Sequence, residues 1–185
     1  MRKAPKLLLG LSKFLPNVKS IKFTLDAYLS DNNRLQNLFS VTLSSPENLE
    51  EIAIKASNTI IRELDVLFLT EKILPRSKNL KRFSCDLSQA KTTGQVLQVF
   101  TQANFATKHL ETFRLNIAGT SLKDKDIVEF LKTVPNVKDL LLGFGKTALT
   151  DKALENFSNN LLPSLDKVER FELGLWETKF TGIGV

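Results

Sequence analysis

The 185-residue chain has few of the residues from which disulfide frameworks, metal sites and catalytic centres are built. It contains one Cys, one His, one Met, one Trp and one Tyr. A single Cys excludes an intramolecular disulfide framework and fits a reducing compartment. No apolar run approaches the roughly 18 residues that a membrane-spanning helix needs. Because 42% of the residues are apolar and 25% charged, we expect a globular cytoplasmic protein with no membrane span.

Candidate reactive groups are correspondingly few. Any zinc site or Cys–His pair would have to use Cys85 and His109, and Cys85 occupies an apolar position of a predicted strand. The stretch GFGKT (143–147) is similar to a phosphate-binding loop, but the full motif requires Gly at position 140, which is Leu140. The sequence therefore predicts no catalytic, metal-binding or cofactor-binding residue, no cofactor, and no enzyme activity.

The net charge of +6 is concentrated at the amino end. Residues 1–25 carry six basic residues and no acid, so the remainder has 26 − 6 = 20 bases against 20 acids. The predicted basic amino-terminal patch consists of Arg2, Lys3, Lys6, Lys13 and Lys19, followed by Lys22. Such a segment fits a solvated cap, a mitochondrial presequence, or an attachment surface for RNA, anionic lipid or an acidic protein.

A repeated sequence motif indicates the architecture. LPNVKSIKF (15–23) recurs as VPNVKDLLL (134–142), and four further segments share the pattern apolar-x-x-apolar-x-apolar. The first apolar residue of each, called its anchor below, is Val18, Leu49, Leu80, Leu110, Val137 and Val168, at spacings of 31, 31, 30, 27 and 31. Alternating apolar positions predict a short strand after each anchor. A fixed period of this length indicates a repeat architecture.

The second half of each unit has helical periodicity. SLKDKDIVEFLKTV (121–134) and ALTDKALENFSNNL (148–161) share L-x-D-K followed by an apolar stripe, and longer apolar stretches occur at 60–69 and 95–105. Asp124 and Asp151 lie where these helices begin, so they are expected to cap backbone N–H groups. Each unit is thus predicted to be one strand, a turn and one helix.

These motifs resemble leucine-rich repeats of the long, ribonuclease-inhibitor-like type. The resemblance implies a horseshoe-shaped solenoid with a curved parallel sheet inside, helices outside, and about six strand–helix units of 27–31 residues. The chain departs from the family at the eighth residue after each anchor, where the family has Asn or Cys. The competing prediction is a doubly wound α/β domain, which does not require equal units.

The predicted single domain covers 1–185. Residues 1–14 would form a basic amino-terminal helix or cap, 15–180 the repeats, and 181–185 the truncated start of a further repeat. The carboxyl-terminal repeat edge is therefore expected to be covered by a partner or by further repeats, or else to self-associate or fray.

Strand alternation predicts the residues of the concave face. The candidate partner-binding residues there are Lys22, Lys55, Arg82, Arg114, Leu141, Arg170 and Glu172. Mixed charges favour a protein partner over a nucleic acid, which would require a stripe of one sign with aromatic platforms. We therefore expect a non-catalytic protein–protein interaction scaffold, a subunit or segment of a larger assembly. The alternatives are an adaptor such as a GTPase-activating or ubiquitin-ligase subunit, RNA or acidic-surface binding through the amino terminus, and an idle concave face.

Overall fold

A computed structural model describes residues 17–25, 46–103, 105, 109–179 and 181. Each of the six anchors is followed by a five-residue strand. The strands are β1 (Ser20–Thr24), β2 (Glu51–Lys55), β3 (Arg82–Asp86), β4 (Thr112–Asn116), β5 (Asp139–Gly143) and β6 (Arg170–Gly174).

All six strands form one parallel sheet in the order β1-β2-β3-β4-β5-β6. Every neighbouring pair has the same register, so residues at equal distance from their anchors are opposite one another, as Ser20 is to Glu51 and Glu51 to Arg82. A doubly wound sheet reverses its strand order at a switch point. The doubly wound alternative is therefore wrong.

In the described part of the chain, four α-helices follow β2, β3, β4 and β5. They are α1 (Glu63–Phe68), α2 (Gly94–Gln102), α3 (Asp124–Leu131) and α4 (Asp151–Asn156), and each packs against the next along the chain. The apolar stripe predicted for α3 is buried, with Ile127 and Phe130 at most 1% exposed. Two helices are prolonged by a π turn and a 3-10 turn, Leu69–Ile73 with Leu74–Arg76 after α1 and Phe157–Leu161 with Leu162–Ser164 after α4. None of the helices in the described residues is long and apolar enough to cross a membrane.

The core lies between the helices and one face of the sheet. Its centre is aromatic: the rings of Phe83 and Phe113 on adjacent strands are 5.7 Å apart, and Phe105 lies 4.9 Å from Phe113. Phe130 of α3 stacks on Phe113 at 6.4 Å. The abundance of Phe over Trp and Tyr therefore reflects a role in core packing, because Phe brings a large apolar area without a polar atom that needs a partner.

The turns after the strands repeat as regularly as the strands do. Nine residues after each described anchor from Leu49 onwards the backbone is left-handed, at Asn58, Gln89, Gly119, Lys146 and Glu177, with φ between 54° and 71°. Successive turns are hydrogen-bonded to each other, as from Asn58 N–H to the Ser88 carbonyl at 2.9 Å and from Lys146 N–H to the Trp176 carbonyl at 2.8 Å. The stacking of units thus extends from the sheet into the turns.

Threonine hydroxyls hold most of these turns. Ten residues after the anchor, Thr59, Thr120, Thr147 and Thr178 each donate the hydroxyl to the carbonyl three residues earlier, over 2.6–2.8 Å. The equivalent residue of the β3 unit is Ala90. The turns are therefore regular although the eighth residue after the anchor is neither Asn nor Cys, because in four of the five described turns the hydroxyl of the tenth residue holds the backbone.

Two further polar ties join adjacent units. Asn136, which precedes an anchor, donates to the Ser164 carbonyl at 3.0 Å and accepts from Lys167 N–H at 3.0 Å. Asp124 accepts from Thr150 N–H at 2.9 Å, and Asp151 accepts from Thr181 N–H at 3.0 Å. In both hydrogen bonds the donor belongs to the following repeat unit. The prediction that Asp124 and Asp151 cap their own helices did not include these contacts between units.

We predict that Thr120→Val lowers the free energy of unfolding by about 1–2 kcal/mol. Valine keeps the shape of the side chain but removes the donor to the Ile117 carbonyl at a site that is 5% exposed. Thr101→Val is the matched control, because the Thr101 hydroxyl also donates to a carbonyl three residues earlier but is exposed to water. Urea unfolding measures both variants, and equal losses would contradict a structural role for the buried threonines.

Candidate functional site: the open face of the sheet

The face of the sheet that points away from the core, called the open face here, contains every residue predicted for partner binding. These are Lys22, Lys55, Arg82, Arg114, Leu141, Arg170 and Glu172, and all of them are exposed or half-buried. The residues that alternate with them along the strands, such as Ile52 and Phe83, are buried in the core. Of the predicted basic amino-terminal patch, Lys19 is described, whereas Arg2, Lys3, Lys6 and Lys13 lie outside the described residues.

Three of the predicted arginines are held by carboxylates of the same face. Arg82 lies 3.2 Å from Glu51 across β2 and β3, and Arg114 lies 3.0 Å from Asp139 across β4 and β5. Arg170 contacts both Asp139 at 3.8 Å and Glu172 at 3.3 Å. Opposite charges on adjacent strands favour this register, and the pairs hold the guanidinium groups in fixed positions.

Two lysines and one leucine of the open face are not tied in this way. Lys22 and Lys55 are exposed, and no carboxylate of the described residues forms an ion pair with either. Leu141 is the half-buried apolar residue at the centre of β5. These three side chains can contact a partner without first giving up an ion pair with any of the described residues.

An alternating row of charges, which we call the ion-pair row, lies at the start of the strands. One residue after each anchor the chain carries Lys19, Glu50, Lys81, Glu111, Lys138 and Glu169. Glu50 lies 2.8 Å from Lys19 and 2.9 Å from Lys81, and Lys138 lies 3.6 Å from Glu169. The alternation is visible in the sequence once the anchors are aligned, but inspection of single units does not reveal it.

Glu50 occupies a position between two positive charges. Hydrogen bonds from Lys19 and Lys81, with the attraction of both ammonium groups, lower the pKa of Glu50 to about 2. The same contact raises the pKa of Lys19. Lys19 is therefore engaged within the chain, which reduces the part it can play in binding an external anion.

The reactive groups named in the sequence do not come together. Cys85 is 3% exposed and lies opposite Leu115, whereas His109 precedes β4 by three residues. Leu115, which lies opposite Cys85, is six residues beyond His109, so the two positions are not neighbours in the sheet. Burial, with a smaller contribution from the charge of Asp86, raises the pKa of the Cys85 thiol, and the described residues contain no cluster of His, Cys, Asp or Glu that could hold a metal ion.

The stretch GFGKT is a turn between units. A side chain at Gly143 would come within 2.6 Å of the Asn116 carboxamide oxygen, which accounts for the first glycine. Lys146 lies 3.4 Å from Glu177 and 5.0 Å from the centre of the Trp176 ring. α4 begins only at Asp151, so the stretch does not lead directly into a helix amino terminus as a nucleotide-binding loop does, and the nucleotide-loop interpretation fails on this ground as well as on sequence.

A cleft of about 630 Å³ lies at the carboxyl end of the strands, beside the turns that lead into α1 and α2. Its lining includes the exposed apolar side chains of Ile60 and Leu64 and the cationic residues Arg62 and Lys91. Thr92 also lines it, and its hydroxyl is buried with no hydrogen-bond partner among the described residues. The cleft lacks a paired acid and base, a His or a Cys, so its lining offers no catalytic arrangement.

Comparison with known proteins gives a likeness of fold. No protein-family model and no curated protein matches the sequence. Among solved structures, the tropomodulin C-terminal domain of Caenorhabditis elegans is similar, at 12% identity and a TM-score of 0.58 over 88% of this chain and 91% of that chain. The leiomodin-1 domain named Actin-Binding Site 2 is similar at 16% identity and a TM-score of 0.55, over 90% and 92%.

The chain shares its fold with these two domains. At such identities the likeness concerns the fold alone, and it supports the leucine-rich-repeat type in general terms. The ribonuclease-inhibitor-like subtype and the horseshoe of six units stay predictions.

We predict that the Glu50 carboxyl titrates near pH 2 in the folded protein. The folded-state pKa is below the unfolded value of about 4.3, so this group stabilises the fold above that pH, and the contribution disappears as the pH falls towards 2. Carboxyl-carbon NMR measures the titration directly, and Glu50→Gln should reduce the loss of stability between pH 4.5 and 2. Glu155→Gln, on an exposed part of α4, is the control. A titration midpoint near 4.5 would show that the two lysines do not hold the carboxylate.

Proposed function

We propose that the chain is a non-catalytic protein-binding module that recognises its partner through the open face of the sheet. The observation that carries the proposal is an exposed row across adjacent strands, made of arginines held by carboxylates and of lysines that form no ion pair with the described residues. Arg82 and Arg114 are oriented by carboxylates, whereas Lys22 and Lys55 are exposed and form no ion pair with a carboxylate in the part of the chain that the structure describes. Side chains fixed in this way lose little freedom on binding, which favours recognition of a complementary surface.

A protein fits this face better than a nucleic acid. The open face carries the bases Lys22, Lys55, Arg82, Arg114 and Arg170 and the acids Glu51, Asp86, Asp139 and Glu172, so 5 − 4 leaves a charge of +1. A nucleic-acid backbone selects a surface of one sign, often with aromatic residues on which bases stack, and the described open face has neither. The alternating charges instead match a partner with its own alternating charges.

The fold likeness supports a protein partner and suggests a first one to test. The leiomodin-1 domain is named as an actin-binding site, so actin is the first purified candidate. The adaptor alternatives, a GTPase activator or a ubiquitin-ligase subunit, rest on fold analogy only. RNA or acidic-surface binding through the amino terminus would depend mainly on Arg2, Lys3, Lys6 and Lys13, which lie outside the described residues.

The finer architecture is part of the same proposal. A single domain over 1–185, built from about six strand–helix units in a horseshoe, would place the open face on its concave side and the helices outside. Equal register in all five strand pairs supports this arrangement, because identical units stacked in parallel curve in one direction. A cytoplasmic location accompanies the proposal, and the mitochondrial alternative has no support from the described residues.

We predict that Lys22→Glu with Lys55→Glu weakens partner binding about tenfold without changing stability. Both side chains are exposed and lack an ion pair among the described residues, so their reversal acts on the partner. The tagged full chain is used for affinity purification from cells that express it, with mass spectrometry of stoichiometric partners. Cosedimentation with purified actin is the direct assay for the first candidate.

The control is Lys125→Glu with Lys152→Glu, which reverses two exposed lysines on α3 and α4. A partner that is lost with the open-face variant and kept with the helix variant supports the proposal. The proposal fails if the wild-type chain recovers no stoichiometric protein, or if the open-face variant keeps every partner.

A further inference from the structure

The cleft beside the turns into α1 and α2 contains a polar residue where other units have an apolar one. Twelve residues after the anchor the chain carries Ile61, Thr92, Leu122 and Leu149. All four are buried, at most 6% exposed. The Thr92 hydroxyl has no hydrogen-bond partner among the described residues. Because a buried hydroxyl without a partner destabilises a fold, its presence in an apolar row requires an explanation other than core packing.

The backbone of Thr92 offers a second donor at the same place. In the preceding unit Ile61 N–H donates to the Lys91 carbonyl at 3.2 Å and Lys91 N–H to the Thr59 carbonyl at 2.8 Å, within an isolated parallel bridge. The described residues contain no such bridge from Thr92 to the next unit, and Thr92 N–H donates to none of them. Thr92 therefore has two donors without an acceptor in the part of the chain that the structure describes.

Apolar side chains form one wall of the cleft. Ile60 and Leu64 both line it, and they are 51% and 61% exposed. A ligand that covers them gains free energy by removing apolar surface from water. The volume of about 630 Å³ lies within the range of roughly 300–1,000 Å³ that is usual for ligand sites. The cleft thus combines exposed apolar surface with two unused donors.

The charge of the cleft is positive. Its lining and that of an adjoining cleft of about 380 Å³, which shares Thr92 with it, contain four bases and two acids: Arg62, Lys91, Lys123, Lys125, Glu63 and Asp126. The net charge is therefore 4 − 2 = +2. Lys91 is exposed, and within the described ranges it forms no ion pair with a carboxylate. A ligand with a negative group and an apolar group is complementary to this lining.

A protein segment meets these requirements better than a nucleic acid does. No aromatic residue lines either cleft, so bases have nothing on which to stack, and the carboxylates of Glu63 and Asp126 oppose a row of phosphates. An extended peptide presents side chains and backbone carbonyls together, and it can therefore satisfy the apolar wall, the cation and the donors at once.

We propose that the cleft binds an extended segment of another protein that carries an acidic residue next to an apolar one. The acidic side chain pairs with Lys91, and the apolar side chain covers Ile60 and Leu64. An oxygen of the segment accepts from Thr92, whose side chain turns about the Cα–Cβ bond to present its hydroxyl. The lining contains none of the residues of the open face, so this site is additional to the one proposed for partner binding.

The test selects ligands from a phage-displayed library of random peptides of about twelve residues. The full-length chain is the bait, and the Lys91→Glu chain is used for counter-selection. We expect the enriched peptides to carry Asp or Glu beside Leu, Ile, Val or Phe. One enriched peptide is then synthesised with a fluorescent label, and fluorescence anisotropy measures its dissociation constant for the wild type and for each variant.

Lys91→Glu and Leu64→Gln should each weaken binding of this peptide roughly tenfold, because they remove the cation and part of the apolar wall. The matched controls are Lys152→Glu and Leu162→Gln. They make the same changes at an exposed lysine and an exposed leucine outside the cleft, and they should leave the dissociation constant unchanged.

Thr92→Val separates a role in binding from a role in the fold. It removes the hydroxyl that lacks a partner, so we expect unfolding at an equal or higher urea concentration, together with peptide binding that is about three- to tenfold weaker. Thr147→Val is the control, because the Thr147 hydroxyl donates to the Phe144 carbonyl at 2.6 Å. This control should lower stability and leave peptide binding unchanged.

The proposal is overturned if no enriched peptide binds the wild type more tightly than the Lys91→Glu chain, or if the enriched peptides lack an acidic residue. It is also overturned if Thr92→Val and Leu64→Gln bind the peptide as tightly as the wild type does. Tighter binding of a labelled oligouridylate than of the peptide, weakened by the same substitutions, would identify the occupant as a nucleic acid instead. Lys22→Glu with Lys55→Glu should leave the peptide affinity unchanged, so failure at the cleft and failure at the open face are distinguishable.

Discussion

The identical register of the five strand pairs is the constraint on which the rest of the structure depends. Because residues at equal distance from their anchors are opposite one another, each position of the repeat becomes a row across the sheet. One row places Phe83 on Phe113 in the core, and another places Arg82 on Glu51 at the surface. A shift of one residue in any pair would exchange core and surface positions along that strand, so apolar and charged rows specify the same register.

The rows of charged side chains on the surface contribute more to the specificity of partner binding than to the stability of the fold. Ion pairs between exposed side chains contribute about 0–1 kcal/mol each, and the pairs of the open face are at least partly exposed. The buried threonine hydroxyls of the turns and the aromatic core contribute more per residue, because their alternatives are an unsatisfied carbonyl or a cavity. The surface can therefore carry a pattern of charge that suits a partner while the core and the turns hold the fold.

The repeat, the strands and the exposed face could be predicted from the sequence because their physical signal is local. Apolar alternation over six residues specifies a strand, and anchors such as Val18 and Val137 locate it. The ties between units were not predicted because they join residues about 30 positions apart, as Asn136 does with Ser164 and Asp124 with Thr150. The turn threonines were also missed, because the family pattern directs attention to the eighth residue after the anchor and the chain uses the tenth. The residues that bind a partner are still harder to predict. Strand alternation places Arg114 on one face of the sheet, but it does not show whether Arg114 already forms an ion pair with Asp139.

The ion-pair row has a period of two units, whereas the backbone has a period of one. From Lys19 to Glu50 to Lys81, each residue of the row lies beside a residue of opposite charge in the next unit. Duplication of a single unit inside such an array would place two lysines or two glutamates side by side, but duplication of two units would preserve the alternation. The electrostatic repeat is thus a pair of units, and insertion or loss of units inside the array avoids neighbours of equal charge only in even steps.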